Sequence, residues 1–141
     1  MFSGCKKFNC DLSKWHTSNL TDISFMFGEC ESFDQDLSWD TSSVTDMRGT
    51  FVGCVNFNGD ITKWKTNKVR NFTKMFMGCK KFNQDLSKWK VSSGSHFERM
   101  FYGCESFNQD LSKWKMKLLG TSETILMFHD TPMPDKFKPI C

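Results

Sequence analysis

Three tripeptides stand out for the chemistry they could do: Lys63-Trp64-Lys65, Lys88-Trp89-Lys90 and Lys113-Trp114-Lys115. Each places a cation on either side of an aromatic ring, and each follows the last by 25 residues. If the indole of an extended segment points inward, its two neighbours point outward. Stacked, the six lysines form a grid, a candidate surface for a polyanion or an acidic partner. The plainer use of such a grid is a solvated face that keeps an open array soluble and blunts its edges.

Other side chains with chemical potential recur in the same way. Cys5, Cys30, Cys54, Cys79 and Cys104 share one position, which predicts a buried column of thiols acting as small apolar groups. Parallel Cβ vectors suit a disulfide poorly, and no CxxC-type spacing suggests a metal. Cys10 and Cys141 lie outside the column and are the redox candidates. Asp11, Asp36, Asp60, Asp85 and Asp110 form another complete column. Stacked carboxylates repel unless they accept hydrogen bonds, so they read as local caps of the turn before them rather than as a calcium ladder. Asn9, Asn58, Asn83 and Asn108, with Asp34 in the same register, read as an internal hydrogen-bond ladder. Thr17, Thr41 and Thr66 align, but Val91 and Met116 break that file, which argues against an ice-binding face. Asn19-Leu20-Thr21 and Asn71-Phe72-Thr73 match the glycosylation pattern, which matters only in a eukaryotic secretory route.

Catalysis needs a unique cluster of titratable groups, and repetition spreads the same groups evenly instead. His16, His96 and His129 fall at different positions of the repeat, and no nucleophile–base spacing or phosphate-binding glycine loop is present. The expectation is therefore no enzyme, no catalytic or metal residues and no cofactor.

These residues are carried by a repeat, and its columns say what holds them. Anchor residues Phe2, Phe27, Phe51, Phe76 and Phe101 are separated by 25, 24, 25 and 25 residues. The short step is one missing residue, where Ser38 runs straight into Trp39. Two aromatic columns, Phe8, Phe33, Phe57, Phe82 and Phe107 and Trp15, Trp39, Trp64, Trp89 and Trp114, are the expected structural core. Leu12, Leu37, Ile61, Leu86 and Leu111 join them, as do Leu20, Val44, Val69, Gly94 and Leu119 and then Ile23, Met47, Phe72 and Phe97. One unit of this size cannot bury its own apolar side chains, whereas stacked units share a core. The reading is a solenoid of five repeats over residues 1–126, with units starting near 1, 26, 50, 75 and 100. Residues 127–141 read as a degenerate repeat and a cap rich in proline, with Pro132, Pro134 and Pro139, since proline cannot extend a ladder.

Within a unit, Asn83-Gln84-Asp85 reads as a turn and Leu86-Ser87-Lys88-Trp89 as a short strand or extended corner. Leu86 and Trp89 are three apart, so burying both requires the chain to bend between them. Phe97, Met100 and Phe101 suit one helical or 3-10 turn, closed by Gly103 and its equivalents Gly4, Gly53 and Gly78.

Two stretches of the unit, MFxGCxxFNQDLSxW and TSxVTDM, resemble the 25-residue repeat of Mycoplasma-type surface lipoproteins and are similar to BspA-like leucine-rich repeats. The likeness is carried by Met75-Phe76-Met77-Gly78-Cys79, by Phe82-Asn83-Gln84-Asp85-Leu86-Ser87-Lys88-Trp89 and by Thr41-Ser42-Ser43-Val44-Thr45-Asp46-Met47. It implies a leucine-rich-repeat-like solenoid of short parallel strands and short helical or 3-10 turns. It also implies a surface, secreted or virion-associated role in adhesion or partner binding, with a protein or glycan as partner. No secretion or lipidation signal, and no run of about 18 apolar residues able to span a membrane, is seen.

Charge divides the chain. Residues 1–62 carry 4 Lys/Arg and 9 Asp/Glu, while residues 63–117 carry 13 and 4, so a net of −5 faces a net of +9. That asymmetry leaves three readings beside each other: partner binding, polyanion binding through the lysine grid, and self-association or assembly through stacked rungs.

Overall fold

The computed structural model describes residues 1–117, 124 and 126–139. Consecutive repeats lie one on the next, joined by hydrogen bonds between residues one repeat apart. Met47, Gly49, Phe51 and Gly53 donate their N–H groups to the carbonyls of Asn71, Thr73, Met75 and Met77 at 2.8–3.0 Å. The residues between them bond locally instead. Thr50, Val52 and Cys54 donate back three residues, to Met47, Gly49 and Phe51.

This alternation overturns the expected leucine-rich-repeat-like solenoid of short strands and helical turns. Among the described residues there is no sheet. There are three isolated parallel bridges, Asp22 with Asp46, Asp46 with Asn71 and Asn71 with His96, and one 3-10 helix, Asp135–Phe137. The physical reason is backbone curvature. In this segment every second N–H closes a turn, and two left-handed residues four positions apart recur once per repeat, as at Gly49 and Gly53 with φ 57° and 71°. A turn with φ above zero at its third residue has the type II signature, and a chain of such turns can be neither strand nor helix. The helical turn expected at Phe97 is a single turn closed by Met100, and Arg99 at φ 53° prevents its continuation. The expected bend between Leu86 and Trp89 is a turn in which the Trp89 N–H donates to the Leu86 carbonyl at 3.0 Å.

Aromatic rings fill the space that the turns enclose. Within a rung, Phe51 stacks on Phe57 at 4.1 Å and Phe76 on Phe82 at 4.2 Å. Between rungs, Phe51 lies 5.8 Å from Phe76, and Phe76 lies 5.4 Å from Phe101. Each ring therefore touches rings in its own rung and in its neighbours, and such pairs contribute about 0.5–1.5 kcal/mol beyond the area they bury. Each interior indole also keeps its polar atom satisfied. Nε1 of Trp39, Trp64, Trp89 and Trp114 donates to the carbonyl of Leu12, Leu37, Ile61 and Leu86, one rung earlier.

The tail takes the place of a further rung. Phe101 and Gly103 donate to the carbonyls of Met127 and His129, and Leu111 donates to that of Phe137. Phe128 stacks on Phe101 at 5.7 Å, and Met133 is buried. Leu119 and Cys141 lie outside the described residues.

Candidate functional site

The six grid lysines, Lys63, Lys65, Lys88, Lys90, Lys113 and Lys115, are all exposed, while Trp64, Trp89 and Trp114 between them are 3–4 % exposed. A shallow groove on the fourth and fifth rungs is lined by Trp89, Val91 and Trp114. Lys88, Lys90, Lys113 and Lys115 wall it, together with Ser87 and Ser92.

The lysines fall into two files with different surroundings. In the file before the indole, Lys63, Lys88 and Lys113 each help to lower the pKa of an aspartate: Asp60, Asp85 and Asp110. The larger cause at these aspartates is the hydrogen bonding of the turn itself, side chain and backbone N–H, from Thr62, Ser87 and Ser112. The file after the indole reads His16, Asp40, Lys65, Lys90 and Lys115. Of these lysines, Lys65 helps to lower the pKa of an aspartate in the same file, Asp40, where the hydrogen bonds from Ser42 are the larger cause.

No ion pair holds any of the six lysines among the described residues. Three lysines elsewhere are paired, Lys6 with Glu31 at 3.0 Å, Lys80 with Glu105 at 3.4 Å and Lys138 with Asp135 at 3.0 Å.

Two lysines of the file after the indole, Lys65 and Lys90, are also anchored through their backbone, by residues that the sequence did not single out for this purpose. Thr41 is buried, and its hydroxyl accepts the Lys65 N–H at 2.9 Å and donates to the Lys65 carbonyl at 3.0 Å. Thr66 does the same to Lys90, at 3.0 and 2.9 Å. The aligned threonines are thus interior clamps rather than an exposed face. The signal was in the sequence, in three threonines each two residues after a tryptophan, but the pattern alone does not tell inside from outside.

The thiol column is buried at Cys30, Cys54, Cys79 and Cys104, and each of these thiols donates to the carbonyl of the anchor Phe one rung earlier, at 2.9–3.0 Å. Burial pushes all four thiols up from their ordinary value. Cys5 departs from the expected column because it is exposed. The aromatic columns show the same edge: Trp15 is 41 % exposed and Phe8 half-buried, because one repeat and not two packs against the first. The remaining expected core residues Phe33, Trp39, Phe57, Trp64, Phe82, Trp89, Phe107 and Trp114 are buried. Cys10 is a free, exposed thiol.

The polar columns act as local and inter-rung caps. Asp11, Asp60, Asp85 and Asp110 each accept the N–H two residues on, at 2.8–2.9 Å. Asp36 instead accepts the Asp60 N–H, one rung later, at 2.7 Å. The missing residue before Trp39 changes this corner of the second rung. The Gln35 carbonyl lies so near Gly59 that a Cβ there would sit 2.1 Å from it, which explains a glycine where the second, fourth and fifth copies have glutamine and the first has cysteine. Asn9, Asp34, Asn58 and Asn83 each accept the N–H of their counterpart one rung on, at 2.8–2.9 Å. His16, His96 and His129 sit apart from one another in the repeat. His96 meets Ser95, and His129 stacks on Tyr102 beside Asp130.

A family model described as "Mycoplasma protein of unknown function, DUF285" matches residues 1–38 and 37–136. The chain belongs to this family. The match supports the Mycoplasma-type repeat and does not extend to the BspA-like leucine-rich repeats. No curated protein and no solved structure matches the chain. Among the described residues of this DUF285 member, no helix is long and apolar enough to cross a membrane.

Proposed function

We propose that this chain is a non-catalytic binding module whose lysine face, on the third to fifth rungs, receives an extended polyanionic partner. The observation that carries this reading is the set of six exposed lysines with no ion-pair partner among the described residues, four of them around one groove. Three lysines elsewhere on the chain, Lys6, Lys80 and Lys138, meet carboxylates within 3.4 Å. Cations left unpaired in files along a rigid stack create a local positive potential that attracts a linear anion. The even spread of the same titratable groups over the rungs supports binding over catalysis. An adhesion-type role at a surface is the setting in which such a module would act, by its likeness to lipoprotein repeats.

Retention on immobilised heparin as a function of salt tests the reading. Replacing all six grid lysines by Gln should abolish retention at about 0.1 M salt, since each lost contact removes one released counterion. A control variant with Lys6, Lys7, Lys14, Lys80, Lys81 and Lys138 replaced by Gln loses the same charge and should remain bound. Equal loss in both variants, or binding that ignores salt, overturns the reading.

A further inference from the structure

We propose that the file Lys65, Lys90 and Lys115 is the ligand-contacting file, that it takes a linear acidic polysaccharide running along the stack, and that Asp40 marks where the site ends. The proposal rests on the binding reading above and adds the class of partner and the residues that meet it.

Two differences single out this file. Each lysine before the indole neighbours an aspartate, Asp60, Asp85 or Asp110, so this file alternates in sign along the surface. Those after it have no such column beside them, apart from Asp40 at the second rung. In addition, Thr41 and Thr66 clamp the backbone of Lys65 and Lys90 through paired hydrogen bonds. Binding then costs less ordering than it would on a mobile loop.

The same face disfavours nucleic acid. Single strands are held by aromatic platforms on which bases stack. Here the indoles between the lysines are 3–4 % exposed, and the exposed rings, Trp15 and Phe25, belong to the first two rungs. Duplex readout uses a helix or a β-ribbon inserted into a groove, and the described residues on this face are turns. What remains is a row of cations with serine hydroxyls, Ser87 and Ser92, in the groove wall. Carboxylates and hydroxyls repeated along a chain, as in a polyuronate, match that chemistry.

Asp40 occupies the position that Lys65 takes one rung later, so the file changes sign there. Its Oδ1 accepts the Ser42 N–H at 2.9 Å, a role that Asn can keep without the charge. Asp40→Asn should therefore extend the attractive field by one rung and leave the turn intact.

The test is a titration, by fluorescence anisotropy, of labelled polygalacturonate oligomers and of labelled thymidine oligonucleotides of matched charge. Polygalacturonate should bind tighter than the oligonucleotide. Replacing Lys65, Lys90 and Lys115 by Gln should weaken it by about tenfold or more, and replacing Lys63, Lys88 and Lys113 by about threefold or less, at about 50 mM salt. Asp40→Asn should tighten binding about twofold to threefold at the same salt. Unchanged urea midpoints would confirm that these exposed variants remain folded. Equal losses in the two triple variants, or no gain in Asp40→Asn, overturn the assignment of the file and its boundary. Oligonucleotide binding as tight as polygalacturonate binding overturns the polysaccharide and leaves the binding module standing. Binding of neither probe, together with loss of heparin retention, overturns both.

Discussion

The first and fourth copies differ at a single position from their cysteine to their tryptophan: both read Cys-Lys-Lys-Phe-Asn-x-Asp-Leu-Ser-Lys-Trp, with Cys10 in one and Gln84 in the other. Yet Trp89 is 4 % exposed and Trp15 is 41 % exposed, and Cys79 is buried while Cys5 is exposed. The same residues meet different solvents because the fourth rung has a rung on each side. In a stacked repeat, stability is a sum of what each unit does alone and what it does with its nearest neighbours, and this pair isolates the second part.

Substituting the two tryptophans is the strongest way to break that comparison. Trp89→Ala removes a buried ring and a hydrogen bond to the Ile61 carbonyl, and should cost about 3–5 kcal/mol in urea unfolding. Trp15→Ala removes a ring stacked on one indole, that of Trp39 at 6.2 Å, and should cost about 1 kcal/mol. Equal costs would mean that the first rung is stabilised in some way other than by neighbour burial.

The thiols offer the same contrast through pH. Burial raises the Cys30, Cys54, Cys79 and Cys104 thiols, so the folded chain holds these protons more tightly than the unfolded chain. Their stabilising effect is whole at neutral pH. It is lost as pH rises above the ordinary thiol value of about 8.5, at up to about 1.4 kcal/mol per pH unit for each deeply buried thiol. Unfolding midpoints should fall between pH 9 and 10 by more in the parent than in a Cys54→Ala/Cys79→Ala variant. Thiol labelling of the native chain at neutral pH should reach Cys5 and Cys10 and spare those four. Fast labelling of Cys79 would place the interior rungs in exchange with an open form.

How much of this was legible follows from the same contrast. Columns of Phe, Trp, Leu and Cys announced which side chains share an environment, since every copy solves the same packing problem. What columns do not carry is the path of the backbone. The short strands expected in the unit gave way to turns because alternate N–H groups bond three residues back. Left-handed residues sustain that path even where the side chain is Phe25, Glu29, Lys74 or Arg99, none of which signals a positive φ. The lysine grid was legible as a pattern. The inequality of its two files was not, because it depends on which way Asp60 and Thr41 point.

Backbone conformation supplies a smaller test within one column. Gly78 has φ 77° and no heavy atom within 3.4 Å of an added Cβ, so Gly78→Ala tests conformation without crowding. Left-handed strain of about 1–2 kcal/mol, offset by the freedom that glycine has and alanine lacks in the unfolded chain, leaves an expected cost of about 0.5 kcal/mol. A neutral result would mean that these turns tolerate either hand.

The converse substitution is Glu29→Gly, at the equivalent position of the second rung, where φ is 59°. Relief of the left-handed strain and the extra freedom of glycine in the unfolded chain work against each other, and the first is the larger, so a gain of about 0.5 kcal/mol is expected. The size of that gain sharpens the comparison with the fourth copy. If the second rung gains as much as Gly78→Ala loses, the two rungs impose the same backbone. If it gains nothing, the second rung relaxes its turn around Glu29, and the two rungs differ in backbone as well as in side chains.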